Sequence, residues 1–280
     1  MTRPDPISSR TYAGLAADDL GSPDDRAPLV LLHGLTFDRT MWRPASAELE
    51  AIDPGRRAIA LDLPGHGDSS DASTYALEAT VERIHASIVE AGLRDPILVG
   101  HSASASTAAM YAARYPTSGV ILVEGTFLVA GFAAMLRSME PVLRGPGFGA
   151  AWARISEHAF RLDEVPADVR WFVESTSRPR QEVVLGYWQE LLERTPAELQ
   201  DWANEGAATL RQTGVPITSV VGLDPSADEA AWLEANLPEA RTIVWTGSGH
   251  FPHLAHPRGF AEVLAATSLP ADSVAASISR

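Results

Sequence analysis

A serine that could act as a nucleophile lies in the segment Gly100-His101-Ser102-Ala103-Ser104, between a short apolar run and an Ala-rich stretch with helical spacing. A serine on a sharp strand-to-helix turn has its hydroxyl raised at the edge of the sheet, and the next amide can donate to a developing oxyanion. The segment therefore predicts Ser102 as the nucleophile and the Ala103 amide as an oxyanion donor. The competing interpretation is a serine that only caps a helix, and motifs elsewhere in the chain weigh against it.

A base for this serine is expected in the segment 247–254, which reads Gly-Ser-Gly-His-Phe-Pro-His-Leu and follows the last apolar run. The glycines before His250 and the proline after it favour a loop that can hold an imidazole over the edge of the sheet. His253 and His256 are rivals by residue type, and the spacing of the three histidines could suggest a metal site. Intervening prolines disfavour one regular helical face, so we assign these two histidines to the loop or to packing and predict no metal.

A second oxyanion donor is expected in His33-Gly34-Leu35-Thr36, which follows the first apolar run of the series. A turn here could present the Leu35 amide toward Ser102, because Gly34 permits a backbone geometry that a β-carbon would resist. The turn-rich loop 62–69 follows the next run. We assign it a structural role, with Asp62 and His66 tying neighbouring loops together, because no further ligand spacing supports a metal there.

Four short apolar runs precede these turns or lie between them, at residues 28–32, 57–61, 96–99 and 119–123. Each run is continuous rather than alternating, which is typical of strands buried on both faces of a parallel sheet. Stretches with helical spacing separate the runs, and two more predicted strands with a helix between them follow near the C-terminus. The alternation predicts an α/β fold with a doubly wound, mostly parallel sheet.

The stretch 126–213 breaks this alternation, since it reads as several helices with no clear strand. An insertion between two strands would lie over the C-terminal edge of the sheet, where such folds bind ligands. We therefore predict a core domain from residues 1–125 and 214–280, and a helical cap from residues 126–213. The last dozen residues, 269–280, are small and polar and are expected to fray.

Together these motifs closely resemble the α/β-hydrolase superfamily, from about residue 29 to about residue 264, with the cap only weakly matched. The resemblance rests on Gly100-His101-Ser102, His33-Gly34, Asp62-Leu63-Pro64-Gly65-His66-Gly67-Asp68-Ser69 and Gly249-His250-Phe251-Pro252-His253-Leu254. It implies a Ser–His–acid triad, an oxyanion hole of two amides and no cofactor. One departure is Ser104, which replaces the last glycine of the usual Gly-x-Ser-x-Gly turn. Its side chain must either shift the turn slightly or hydrogen-bond the backbone.

The acid of the implied triad has two candidates. The superfamily usually places it after the strand that ends here at Gly222, which favours Asp224, although this loop looks one residue short. Glu124 follows the preceding strand and is the alternative, because some members, including ring-opening lactonases, use an acid near that point. Glu124 could instead be a structural carboxylate near the hinge of the cap. We predict Asp224 as the preferred acid and expect the acid to orient His250.

Composition narrows the function classes. The 280-residue chain has a formal net charge of −14, and a surface this acidic repels nucleic acid and anionic lipid, so neither is a predicted partner. The absence of cysteine and lysine excludes thiolate, disulfide and Schiff-base chemistry. The N-terminus lacks the apolar segment of a signal peptide and no run reads as a membrane span, so we predict a cytoplasmic protein with a small-molecule substrate.

The predicted function is a cofactor-free serine hydrolase that cleaves a carboxylic ester or lactone through an acyl-enzyme on Ser102, with His250 as the base. Nine aromatic side chains of the predicted cap could line an apolar pocket, which favours a hydrophobic substrate, although most are expected to hold the cap together. They are Trp152, Trp171, Trp188, Trp202, Phe132, Phe148, Phe160, Phe172 and Tyr187. The alternatives are a carbon–carbon bond hydrolase of the same fold and a ligand-binding receptor that retains the triad.

Overall fold

Eight strands form one sheet in the computed structural model, which describes residues 8–267. The strands are β1 (Ser8–Tyr12), β2 (Leu15–Leu20), β3 (Leu29–Leu32), β4 (Ala58–Leu61), β5 (Ile97–His101), β6 (Gly119–Val123), β7 (Ile217–Val221) and β8 (Arg241–Val244). Their order is β1-β2-β4-β3-β5-β6-β7-β8, and only β2 runs antiparallel to its neighbours. The predicted mostly parallel sheet is confirmed. The β1–β2 hairpin, which the sequence patterns did not predict, extends one edge.

Helices cover both faces of this sheet. They are α1 (Arg43–Ile52), α2 (Leu77–Glu90), α3 (Ala103–Arg114), α4 (Ala130–Leu143), α5 (Phe148–Phe160), α6 (Ala167–Thr176), α7 (Gln181–Tyr187), α8 (Gln189–Glu193), α9 (Pro196–Thr213), α10 (Ala227–Asn236), α11 (Pro252–Ala255) and α12 (Pro257–Ala266). Helices α1 and α12 pack against each other on one face, while α2, α3, α9 and α10 form the layer on the other. The two layers bury alternate residues of strands β3 to β6, as the period of a strand requires.

The strand β3 shows this division most clearly. Leu29 and Leu31 belong to the apolar cluster shared with α1 and α12, whereas Val30 and Leu32 belong to the cluster shared with α2 and α3. All four side chains are fully buried. A strand with two buried faces needs apolar residues at every position, which explains why its sequence is a continuous run rather than an alternating one.

The predicted insertion, residues 126–213, contains helices α4 to α9 and no strand. Helix α9 begins at a capping box formed by Thr195 and Glu198 and ends at Gly214 in the left-handed conformation, so its own sequence fixes both ends. It packs against α4 and also against α3. The division of the chain into a core and a cap stays a prediction. The expectations for residues 269–280 and for the first seven residues lie outside the described part of the chain.

Candidate active site

Ser102 occupies a sharp turn between β5 and α3. Its backbone has φ 56° and ψ −121°, a region that residues with a β-carbon rarely adopt. The turn is held by the Ser102 amide, which donates to the Val123 carbonyl at 2.8 Å. It also depends on Gly100, where a β-carbon would lie 2.1 Å from the Ser104 carbonyl oxygen. The predicted strand–turn–helix placement of Ser102 is thus what the chain adopts.

Ser104 departs from the glycine that this kind of turn usually carries. Its side chain is buried, and its hydroxyl donates to the carbonyl of His33. The hydroxyl therefore has a partner, which removes the desolvation penalty of a buried polar group. The second of the two expectations for Ser104, a hydrogen bond to the backbone, describes the structure, and the bond also ties α3 to the loop after β3.

His250 lies between Ser102 and a carboxylate. Its Nε2 atom is 2.8 Å from the Ser102 hydroxyl, and its Nδ1 atom is 3.0 Å from an oxygen of Glu124. A carboxylate can only accept, so Nδ1 carries the proton and the neutral ring leaves Nε2 free to accept from the serine. The three side chains form the chain of hydrogen bonds that an activated serine requires.

Glu124 directly follows β6 and has φ 52°, which turns its side chain toward His250. Its Oε1 atom accepts from the Gly222 amide, and its Oε2 atom, which faces His250, also accepts from the Arg161 guanidinium at 3.0 Å. Burial raises the pKa of this carboxyl, but its bonds to His250, Gly222 and Arg161 outweigh burial and hold the pKa below its ordinary value. Glu124 is therefore held ionised and in one orientation.

The carboxylate beside His250 in the structure is that of Glu124 and not that of Asp224. Asp224 is exposed on the loop after β7, and its carboxylate has no hydrogen bond or ion pair within residues 8–267. The loop is short, so Gly222, two residues earlier, presents its backbone amide to the Glu124 carboxylate. Glu124 follows β6, the strand next to β5, and its carboxylate lies within hydrogen-bond distance of His250.

Leu35 and Ala103 both line the cavity that contains Ser102. Within the described residues neither amide donates a hydrogen bond, whereas the next amide along, that of Thr36, donates to His66 Nε2 at 3.2 Å. Ala103 is the first residue of α3, where an unpaired N–H and the helix dipole favour a negative charge. These two amides are therefore free to bind an oxyanion.

Two buried histidines hold the loop that carries the Leu35 amide against the loop after β4. His33 Nε2 accepts from the Leu63 amide at 3.0 Å, and its Nδ1 donates to the Gly34 carbonyl at 2.8 Å. His66 bridges Thr36 and the Pro64 carbonyl in the same way. Burial lowers the pKa of His33 to about 4 and that of His66 to about 3, so both rings stay neutral and can accept.

Asp62 has the structural role expected of it. Its carboxylate accepts from the amides of Arg39 and Asp68 and from the Arg39 guanidinium. The same guanidinium also reaches Asp18 at 2.8 Å, which joins the loop after β4 to the N-terminal hairpin. A fully buried carboxylate needs such partners, so Asp62 fixes the loops that flank the site.

The remaining histidines near the site pack against it. His101 Nε2 donates to the His250 carbonyl at 2.8 Å, so it supports the backbone of the candidate base. His253 is fully buried between Trp42 and Phe260, and His256 packs against Trp245. The predicted packing roles of His253 and His256 agree with these contacts. Within residues 8–267, no group of three His, Asp or Glu side chains is placed to hold a metal ion.

A cavity of about 320 Å³ opens onto Ser102, His250 and the two free amides. Six of the nine aromatic residues named in the sequence analysis line it, and two of them, Trp152 and Trp188, also stack on each other within the insertion. The six are Phe132, Trp152, Phe160, Tyr187, Trp188 and Trp202. Trp171, by contrast, is 69% exposed. The helices above the sheet edge thus supply an apolar wall to the site.

A second cavity of about 180 Å³ adjoins the first between α3 and α9. Five residues line both cavities: Leu77, Ser106, Thr126, Val129 and Trp202. Beyond them the wall is mostly small or apolar, including Ala109, Met110 and Ala113 on one face of α3, and the exceptions are Arg114 and Thr209. The two cavities together extend the apolar space away from Ser102 along this helix.

Three residues that hold the site together were not predicted as parts of it. Arg161 contacts Glu124, the Gly222 amide contacts the same carboxylate, and Phe160 stacks its ring on His250 with a centroid distance of 6.0 Å. Phe160 was counted only among the aromatic residues of the insertion. Arg161 and Gly222 carry no local signal, because each is far from its partner in sequence and the contact depends on how the chain packs.

Known proteins share this fold and sequence pattern. A model of the alpha/beta hydrolase family matches residues 29–263, so the chain belongs to that family. It is 26% identical to the 2-succinyl-6-hydroxy-2,4-cyclohexadiene-1-carboxylate synthase of Serratia proteamaculans, over 86% of this chain and 92% of the relative. It is 28% identical to the pimeloyl-(acyl-carrier protein) methyl ester esterase of Neisseria meningitidis, over 85% of this chain and 92% of the relative.

Among solved structures, a lipase-esterase related protein from Clostridium acetobutylicum has a TM-score of 0.69 at 13% identity, covering 90% of this chain and 98% of that one. This likeness concerns the fold alone. The relatives include an esterase and a synthase at similar identity, so the substrate has to be argued from the site. No helix within residues 8–267 has both the length and the apolar character needed to cross a bilayer.

Proposed function

We propose that this protein is a serine hydrolase that cleaves a carboxylic ester or lactone with an apolar moiety through an acyl-enzyme on Ser102. The observation that carries the proposal is the continuous set of hydrogen bonds from Ser102 through His250 to Glu124 at the floor of an apolar cavity. In this proposal Glu124, rather than Asp224, is the acid of the triad.

Acylation begins when the Ser102 oxygen attacks the substrate carbonyl carbon and its proton passes to His250 Nε2. The imidazolium that forms is stabilised by the Glu124 carboxylate at Nδ1. The carbonyl oxygen becomes an oxyanion and accepts from the amides of Leu35 and Ala103, each worth about 3 kcal/mol at such a site. The C–O bond to the leaving group then breaks, and His250 returns the proton to the departing oxygen.

Deacylation repeats these steps with water as the nucleophile. His250 Nε2 takes a proton from a water molecule, whose oxygen attacks the acyl carbon, and Ser102 leaves with that proton. For a lactone, the leaving oxygen belongs to the same molecule, so the product is a single hydroxy acid. Both halves of the reaction need a neutral His250, and activity should therefore fall in acid.

The cavity favours uncharged, elongated substrates. Among the described residues, the wall of the cavity that contains Ser102 has no arginine, and its charged groups are Glu124 and Glu190. In the adjoining cavity Arg114 pairs with Glu78 and Glu82, so a substrate carboxylate near Ser102 has no free cationic partner. Glu190 instead accepts from the Leu77 amide and pairs with Arg194. The adjoining cavity along α3 gives an apolar chain a place to extend, which supports a linear hydrophobic moiety over a compact one.

The proposal is tested by a fluorophosphonate probe together with p-nitrophenyl esters from acetate to decanoate. The parent should be labelled at Ser102, as located by mass spectrometry, and kcat/KM should rise with chain length before it falls. Ser102→Ala should lose labelling and about 10⁶-fold in kcat. Ser138→Ala, which removes an exposed hydroxyl on α4, is the matched control.

Equal labelling and hydrolysis by Ser102→Ala would overturn the assignment of the nucleophile. A parent that is labelled but hydrolyses no ester or lactone would overturn the substrate class while leaving the nucleophile in place. A diketone substrate in the same assay distinguishes carbon–carbon bond hydrolysis, because only that activity would consume it. Tight binding of esters without turnover would identify a receptor.

A further inference from the structure

We propose that Arg161 is a positioning residue, and that the end of helix α5 fixes the acid and the base of the site relative to each other. This inference rests on the proposed function, because it concerns how the Glu124–His250 pair is held. Arg161 makes no contact with the reacting atoms. It would act through Glu124 and through the loop that carries His250.

One nitrogen of Arg161 binds both Glu124 and the loop that carries His250. Its Nη2 atom donates to Glu124 Oε2 at 3.0 Å and to the Gly249 carbonyl at 2.7 Å. Glu124 Oε2 is the same oxygen that lies 3.0 Å from His250 Nδ1. The guanidinium therefore ties the carboxylate to the residue directly before the base, and a shift of either one would break a charge-assisted hydrogen bond.

The backbone at the end of α5 holds the same loop. The His250 amide donates to the Phe160 carbonyl at 3.1 Å, and the Phe160 ring lies nearly parallel to the imidazole. Gly249 approaches so closely that a β-carbon there would lie 2.7 Å from the Arg161 carbonyl oxygen and 2.9 Å from that of Phe160. Two residues of the helical insertion thus contact the loop of the base by main chain and side chain.

The residue type at position 161 is unexpected on local grounds. Arg161 follows the last turn of α5 with φ 48° and ψ 49°, a left-handed position that usually carries glycine or asparagine. An arginine there is less favourable for the backbone than glycine. Its side chain is four-fifths buried against Glu124. A positioning role predicts this combination, in which a residue type that is unfavourable for the left-handed backbone forms a specific contact at the site.

The charge of Arg161 also matters, because acidic side chains surround the pair. A cavity of about 440 Å³ beside Glu124 and His250 is lined by Arg161 and by the carboxylates of Asp224 and Glu229. On the other side His250 packs against the buried His101, which in turn packs against His253. Arg161 is the only cation lining that cavity among the described residues. Its removal should make the protonated form of His250 more favourable and move the acid limb of activity to higher pH.

The test compares Arg161→Met with Arg161→Gly, since both remove the guanidinium but only glycine suits the left-handed backbone. In both variants kcat should fall by up to about 100-fold with little change in KM. The rate of fluorophosphonate labelling should fall by a similar factor. Arg161→Gly should nevertheless have a higher Tm than Arg161→Met. Arg161→Lys should recover part of kcat, and Arg144→Met, which breaks an exposed ion pair on α4, should behave as the parent.

The pH profile of kcat/KM separates positioning from a structural role. In both Arg161→Met and Arg161→Gly the acid limb should move to higher pH, which loss of stability alone would not cause. A parent-like kcat together with an unmoved acid limb would overturn the inference. It would also be overturned if the less stable of the two variants, by Tm, were also the one with the larger loss of kcat. If the parent itself is not labelled at Ser102, the proposed function fails instead.

Discussion

The loops after β6 and β7 each present a carboxylate near His250, and only one of them reaches it. Glu124 follows β6 directly and accepts from a backbone amide, a guanidinium and the imidazole. Asp224 lies three residues after the end of β7, is exposed and has no partner among the described residues. The two loops still cooperate, because the β7 end supplies the Gly222 amide to the carboxylate of the β6 end. The comparison indicates that a carboxylate is held beside His250 when several hydrogen-bond donors bind it.

The largest expected effect is on kcat when the two carboxylates are neutralised one at a time. Glu124→Gln keeps the shape of the side chain but loses the charge that stabilises the imidazolium, and it should lower kcat by about 10⁴-fold. Asp224→Asn should leave kcat close to the parent value, because Asp224 is exposed and, within the described residues, its carboxylate makes no hydrogen bond or ion pair. Steady-state hydrolysis of the preferred p-nitrophenyl ester measures both. A larger loss for Asp224→Asn would reverse the comparison.

An intermediate effect is expected when the contact between the two loops is disturbed. Gly222→Ala would place a β-carbon 2.2 Å from the Gly249 carbonyl oxygen and 2.8 Å from the Ser248 hydroxyl. The amide that binds Glu124 and the loop that carries His250 would both have to move. We expect kcat to fall by about 10- to 100-fold and the free energy of unfolding to fall by about 1–3 kcal/mol.

Urea unfolding and ester hydrolysis at one pH measure these two losses. Gly131→Ala is the control, because the same substitution there meets nothing within 4 Å. If Gly222→Ala hydrolyses the ester at the parent rate, the β7 amide does not help to hold the acid.

The smallest expected effect is on stability in acid. The pKa of Glu124 is lowered in the folded protein from an ordinary value of 4.5, so its charge stabilises the fold above that pH, and the contribution is lost as the pH falls below it. The difference in unfolding free energy between the parent and Glu124→Gln should therefore narrow from pH 6 to pH 3. Urea titrations at several pH values measure it, and a difference that widens toward pH 3 contradicts the prediction. Asp224→Asn serves as the control, since Asp224 has no hydrogen-bond partner in the part of the chain that the structure describes.

Much of the fold and part of the site could be read from the sequence because they depend on neighbours in the chain. Continuous apolar runs marked the four strands β3 to β6, since strands buried on both faces favour apolar residues at every position. Strands β7 and β8 include polar residues and were predicted as two further strands near the C-terminus. The β1–β2 hairpin escaped notice because its sequence includes charged residues that are paired only in the folded protein, as Asp18 is with Arg39 and Arg43. The pattern of polar and apolar residues within the hairpin does not indicate such an ion pair.

The sequence by itself determined that Ser102 stands on a strand-to-helix turn and that His250 follows the last strand in a glycine-rich loop. Both properties are set by residues within a few positions of each. Tertiary structure alone decided which carboxylate meets the imidazole, and it brought Arg161 and the Gly222 amide to that carboxylate. A hydrogen bond across 126 residues depends on strand order and on the direction of two loops, and neither is encoded next to Glu124. The apolar wall over Ser102 was decided in the same way, by how the helices of residues 126–213 pack above the sheet.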